Sequence, residues 1–437
     1  MFFKEKLTLS TNTSILKSNS SQTTSTFLRT HNEARYSFKK AWLGGRFSAE
    51  NNEQKAVITD SLTPVSQRFN AYEVFTGVGD STSVFTEVGY KYRVNDSLRN
   101  NTLKRVNNSN TYYLDSRFIK NKRTNLSLYV NYRNLKSDDE PNADEQSLNS
   151  RLQYSQQFFE NKVQWTTVFE TNSGSLPQQD FTYVAVEPGQ GAYTWNDYNS
   201  NGIQELEEFE IAQFQDQGSY IRVLLPNQIF IKTHQNRLSQ TVTLNPANWI
   251  NEQSNSKKFW SHFYNRTSYL IDRKIKRDGN NFNINPFESD KENQLGLQLN
   301  FRNVLFFNRG KQNYTSSYTF LNNSSRNVLS VGFIANALSS HQLNFNHKFA
   351  KSWLFNFLTG FDTNESESEN FTSKNFKIDE SRFNPKLSYL LNDNARFDVF
   401  YQYTNKDNII GSRERLKQQK YGMSFTLNKN AKSALSR

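Results

Sequence analysis

Asp197, Asn199 and Asn201 set three side-chain oxygens at alternate positions, and Gly202, Ile203, Glu205 and Glu208 follow them closely. The run offers only hard oxygen donors, so its available chemistry is the wrapping of a hard divalent cation. With Asp197 as position 1, side-chain oxygens stand at 1, 3, 5, 9 and 12, the Ile203 carbonyl is available at 7, and Gly202 takes the sharp turn at 6. This is the spacing of a calcium loop. Pro188, Gly189 and Gly191 forbid a long incoming helix, and position 8 is the polar Gln204 where an apolar side chain is usual. The stretch therefore reads as an EF-hand-like Ca²⁺ loop inside a surface insertion, with an ion-free Asn/Gly turn as the competing reading. Three acids and two neutral Asn ligands suit the weak extracellular class, with Kd on the order of 10⁻⁴ to 10⁻³ M. Glu207 and Glu210 flank these ligands and read as solvated or outer-sphere groups, not as catalytic acids.

Other chemistries are thinly represented. The absence of cysteine excludes disulfides, thiolate metal sites and cysteine nucleophiles. Of five scattered histidines, His31, His234, His262, His341 and His347, only the last two lie close, and they read as wall or surface imidazoles on one strand. No Gly-x-Ser-x-Gly elbow occurs, and no carboxylate pair stands out beyond 197–208, so a non-enzyme is expected. The net charge of +12 is spread along the chain. Its densest runs, 120–123 and 273–277, sit at the edges of alternating segments, where they can meet lipid phosphates; nucleic-acid binding is not expected.

The elements that must position the calcium loop are strands. Hydrophobic residues make up only 35% of the 437, yet there are 36 Phe, 21 Tyr and 6 Trp. A polar chain rich in rings needs an architecture in which alternate residues meet water and an apolar phase. No apolar run approaches the ~18 residues of a spanning helix. Met1 to Lys6 has no apolar core behind it, so a mature form or a fragment is expected. Tyr72 to Val78 and Val84 to Val94 alternate around a turn at Gly79-Asp80-Ser81 and predict a hairpin. The strand at 126–133 runs into the acidic tip Asp138-Asp139-Glu140-Pro141-Asn142, and short turns such as Glu160-Asn161 alternate with such tips. Alternation lapses at 172–227, which holds the calcium loop and is too polar to bury a core, so bound Ca²⁺ is expected to brace it. It resumes through Leu295 to Phe301, Leu343 to Phe361, Phe397 to Tyr403 after the turn at 392–394, and Tyr421 to Leu427. No helix is expected. At ~22 residues per strand and connection, and strands of ~9 to 12 residues, this predicts an antiparallel transmembrane β-barrel of about 16 to 18 strands with long outer loops. Residues 1–171 supply the first strands, 172–227 the inserted extracellular region and 228–437 the remaining strands. Trp165, Trp249, Trp260 and Trp353 are expected in interfacial girdles.

The segment from Gly189 to Glu210, with the calcium loop at its centre, resembles a stretch of large cell-surface proteins of the Bacteroidota; elsewhere the likeness is to outer-membrane β-barrels in general. The resemblance implies an outer-membrane location, contact with membrane lipid and lipopolysaccharide, and surface or periplasmic protein partners. Family members are longer and carry a signal peptide, and such barrels finish on a terminal aromatic, whereas Leu427 is followed by the polar tail 428–437; a chain cut at both ends is implied. The expected function is a pore, transport or surface-assembly component with a calcium-braced loop. A binding or structural module anchored at the outer membrane is the alternative.

Overall fold

The computed structural model describes residues 6–427, apart from 81, 139–143, 199, 201, 213, 252–253, 278, 280–281, 289–292, 312, 330–331, 370–371, 393–394 and 412. The acidic tip at 139–142, the turn residues Asp393 and Asn394 and the tail at 428–437 lie outside the described residues. The first nine strands are β1 (Leu7–Asn19), β2 (Thr23–Phe38), β3 (Ala41–Ala56), β4 (Gln67–Gly79), β5 (Phe85–Arg99), β6 (Thr102–Lys120), β7 (Thr124–Ser137), β8 (Glu145–Phe158) and β9 (Val163–Ala185). Two short strands, β10 (Tyr193–Trp195) and β11 (Phe209–Ile211), precede β12 (Tyr220–Leu244). The series ends with β13 (Phe263–Lys276), β14 (Gln294–Phe307), β15 (Tyr314–Leu329), β16 (Gly332–Phe349), β17 (Trp353–Ser368), β18 (Phe376–Asn392), β19 (Ala395–Asn408) and β20 (Arg415–Leu427).

The fold is all-β and antiparallel. Each strand of the meander pairs with the next, with β9 passing over β10 and β11 to pair with β12, which makes eighteen strands; β10 pairs with β11 and, at Tyr193 and Tyr220, with β12. Among the described residues β1 pairs only with β2 and β20 only with β19. The strands run 13 to 25 residues in the meander, longer than alternation alone suggests, because polar ends such as Arg105 and Asn107 in β6 continue the ladder after the apolar pattern stops. The expected hairpin at 72–94 is β4 and β5. Its turn is closed by Asp80, whose amide donates to the Val84 carbonyl and whose carboxylate accepts from the Thr82 amide; that carboxyl sits below its usual pKa because of the Thr82 donors.

Register divides the meander into two faces. One carries Phe47, Tyr72, Val88, Leu114, Val130, Leu152, Phe169, Leu238, Leu299, Phe320, Leu343 and Phe357 at paired or diagonal positions. Its rings and aliphatics are left exposed, Val74 at 60% and Tyr421 at 81%. The other face is polar and holds the charged pairs. Arg46 bonds to Glu33 and Glu73 and reaches Glu87, while Tyr113 donates to Glu73 and Glu87. On β17 to β19, Asp398 is buried between Lys386 (3.0 Å) and Arg396 (2.9 Å), and Arg382 pairs with Asp362 and Glu380. The cluster around Arg46 spans five strands, β2 to β6, because its rings lie flat on the sheet. Trp42 covers Gly77 and Tyr113 covers Gly89, so closely that a Cβ on either glycine would stand 2.3 Å from the ring. Lying flat lets the Trp42 indole reach Glu87 at 2.8 Å.

The two rims differ. One rim carries the connections 57–66, 138–144, 186–219, 277–293, 369–375 and 409–414 together with the short connections 20–22, 100–101 and 330–331; the other carries 39–40, 80–84, 121–123, 159–162, 308–313, 350–352 and 393–394. The exception on this turn rim is 245–262, which contains the chain's short α-helix, α1 (Asn255–Trp260). No helix was expected there, since six residues are too few for a 3.6-residue period to register in sequence. The four tryptophans expected in girdles all lie at the turn rim, Trp165 in the first residues of β9, Trp353 at the start of β17, and Trp249 and Trp260 within 245–262. Trp260, Phe263, Phe307, Tyr314, His347, Phe349, Trp353 and Tyr389 form a continuous row of rings there, with successive centroids 4.8 to 6.4 Å apart. No helix among the described residues is long and apolar enough to cross a membrane.

Candidate metal centre

The irregular insertion is narrower than its sequence pattern. β9 and β12 continue through 172–185 and 220–227, and only 186–219 lies between them. Alternation fails over these strand ends because Gln178, Gln179, Asn227 and Gln228 interrupt it, while the backbone ladder resumes after a bulge at 224–228. β9 leaves β8 after Thr171, and β12 has no β13 partner before Thr233, so the paired ends of β9 and β12 project alone at the loop rim. Thirteen residues of β12, 220–232, make up this projection, roughly 40 Å at the usual rise of a strand.

On this projection the insertion has a ring core, contrary to the expectation that it is too polar for one. Tyr183 stacks on Phe209 at 4.2 Å and meets Tyr193 at 4.9 Å, and Phe209 meets Tyr220 at 5.0 Å. The Arg222 guanidinium lies 4.6 Å from the Phe181 ring and donates to the Tyr183 hydroxyl. Aromatic area compensates for scarce aliphatics, because each large ring buries far more surface than its count in a composition suggests.

The candidate loop connects β10 to β11, a hairpin paired as Tyr193 with Ile211 and Trp195 with Phe209. Asp197 Oδ2 accepts the Gly202 amide at 2.8 Å, tying position 1 to position 6, and Gly202 adopts φ +72°, where a side chain would be strained. Residues Leu206–Glu208 form one turn of 3-10 helix. Glu208 is 3% exposed; its Oε2 accepts the Trp195 indole N–H at 2.8 Å and the Glu205 amide at 3.4 Å. Its Oε1 is buried and has no hydrogen-bond partner among the described residues. Asn196 and Tyr198 both donate to Glu210, and the bond to that carboxylate holds the Tyr198 phenol above its usual pKa.

The structure thus brings Asp197 to Gly202 and Glu205 to Glu208, and exposes Glu205 and Ile203. Asn199 and Asn201 lie outside the described residues. Among the described residues no three acidic or histidine side chains are grouped so as to hold a metal ion by themselves. The donor set still fits Ca²⁺, because a buried carboxylate oxygen without a donor is the group a hard cation satisfies. Asp197, the Ile203 carbonyl, Glu205 and Glu208 would hold the ion, which would brace the hairpin by neutralising three acids. Sequence spacing gives no hint of Trp195, which lies outside the twelve positions and fixes the closing glutamate. No protein-family model matches the chain, and a search of curated proteins finds no relative.

Proposed function

We propose that this chain is the strand domain of a bacterial outer-membrane β-barrel, with the apolar face toward lipid and lipopolysaccharide, the polar face toward a lumen, and the insertion on the cell surface. The carrying observation is the division of an eighteen-strand meander into an apolar face, rimmed by a row of rings, and a face of paired charges. Aromatic rows at the ends of membrane-length strands suit the lipid interface. In hydrocarbon the free backbone edges of β1 and β20 would each cost several kcal/mol per unsatisfied group. With an even number of strands the two edges are antiparallel, so they can satisfy each other directly. The barrel acts without catalysis, as a pore, transport or surface-assembly component.

The projecting ends of β9 and β12 favour a second reading, a surface-binding module for which the barrel is the anchor. Extraction and gel migration test the membrane claim: the protein should require detergent and should migrate differently before and after boiling. A monomer freely soluble without detergent overturns it. Because the chain has no cysteine, paired single cysteines placed along β1 and β20 should cross-link at one register if the edges meet. Stepwise conductance in planar bilayers separates pore from anchor.

A further inference from the structure

On the apolar face near the loop rim, register places Arg273 of β13 beside Asn236 of β12 and Ile275 beside His234. Arg277 follows just past the strand. This patch should face the apolar phase, yet it is closed: Arg273 is 1% exposed, Arg277 5%, His234 0% and Asn236 1%. The connection after β13 covers it. Asn283 and Asn285 offer their carbonyls to Asn236 Nδ2 and Arg273 Nη1, and Phe282 packs 5.6 Å from His234 and 5.1 Å from the Arg277 guanidinium.

Each guanidinium is satisfied on one side only. Arg273 Nη1 donates to Asn285 O at 3.1 Å and Arg277 Nη1 to Gln146 O at 2.6 Å, while Nε and Nη2 of both are buried without partners among the described residues. Nε and Nη2 form the side-on fork of arginine, two parallel N–H groups that match two oxygens of one oxyanion. No carboxylate among the described residues forms an ion pair with either arginine; Glu145 acts on Arg277 only through its field. Two buried, uncompensated cations are strongly unfavourable unless a counter-anion joins them.

We propose that Arg273 and Arg277 form a binding site for a phosphate-bearing anion beneath residues 282–288. A carboxylate has two oxygens and fills one fork, whereas phosphate can present oxygen pairs with more charge to match guanidinium forks. The proposal stands on these side chains and does not require the barrel reading. It is tested on the full chain in micelles of a neutral sugar detergent, without oxyanions, by thermal unfolding after addition of inorganic phosphate, short-chain phosphatidic acid or, as control, short-chain diacylglycerol. A rise in midpoint with phosphate and phosphatidic acid identifies a site open to free phosphate; a rise with phosphatidic acid alone identifies a lipid headgroup. The double variant Arg273→Gln, Arg277→Gln should abolish the rise and, in oxyanion-free micelles, should be at least as stable as the parent, since it buries no uncompensated charge. Absence of a rise in the parent, a rise that survives in the double variant, or a double variant already destabilised without oxyanions overturns the proposal.

Discussion

Two arginine groups follow opposite rules, one half-buried and one fully buried. Arg46, on the polar face, is surrounded by Glu33, Glu73, Glu87 and the Tyr113 hydroxyl. Arg273 and Arg277, on the apolar face, contact only carbonyls, rings and amides among the described residues. Antiparallel register explains the first group, because Glu33 and Glu73 stand directly opposite Arg46 on its two neighbouring strands. In the second, Arg273 has Asn236 and Leu297 in those places. The Arg46 cluster closes its own electrostatics, and the covered patch leaves donors free among the described residues.

The largest effect should come from breaking the closed group. Arg46→Ala would leave three acids facing one another on a half-buried wall, and a loss of about 3 kcal/mol is expected from denaturant unfolding. Adding Glu73→Gln should recover part of it; equal, additive losses would mean that Arg46 acts by packing on Phe75, 3.8 Å from its ring, and not by charge. Next in size is the wall that holds the group. Gly77→Ala drives a methyl into Trp42 and should cost about 1–3 kcal/mol. Gly45→Ala is the control on the opposite face, since its Cβ meets nothing nearer than the Glu73 carbonyl oxygen at 3.6 Å; it should be close to neutral. If both variants behave alike, the flat-ring packing does not position the Arg46 network.

Much of this fold was legible in the chain. Period-two alternation in Tyr72 to Val78 or Leu295 to Phe301 reports a two-faced strand directly, and the meander's strand number came within the expected range because strands longer than expected are offset by several very short turns. Strand lengths were underestimated where the ladder runs on through Asn and Gln, which satisfy the backbone but show no apolar pattern. The run Asp197 to Glu208 was legible as a candidate because its oxygen groups are local in sequence. Arg46 with Glu87, or Arg277 with Gln146, was not, since those contacts depend on register across two or more strands. The paired charges also lie too far apart in sequence for composition to hint at them.

The smallest effect belongs to the loop, where the free buried group is an acceptor, Glu208 Oε1, and not a donor. For a site of Kd ~10⁻⁴ to 10⁻³ M, millimolar Ca²⁺ would stabilise by only about 0.4–1.4 kcal/mol, so global unfolding is a poor readout. Local proteolysis of 186–219 is a better one. Chelator should speed cleavage there, Asp197→Ala should remove the chelator's effect, and phosphate should leave it unchanged. Trp195→Phe sharpens the contrast: without the indole donor Glu208 loses the bond that aims it, and more Ca²⁺ should be needed for the same protection. If chelator alters nothing in the parent, the capping contacts of Glu205 and Glu208 account for the turn alone, and the free oxygen is tolerated at the edge of a ring core that already holds the hairpin.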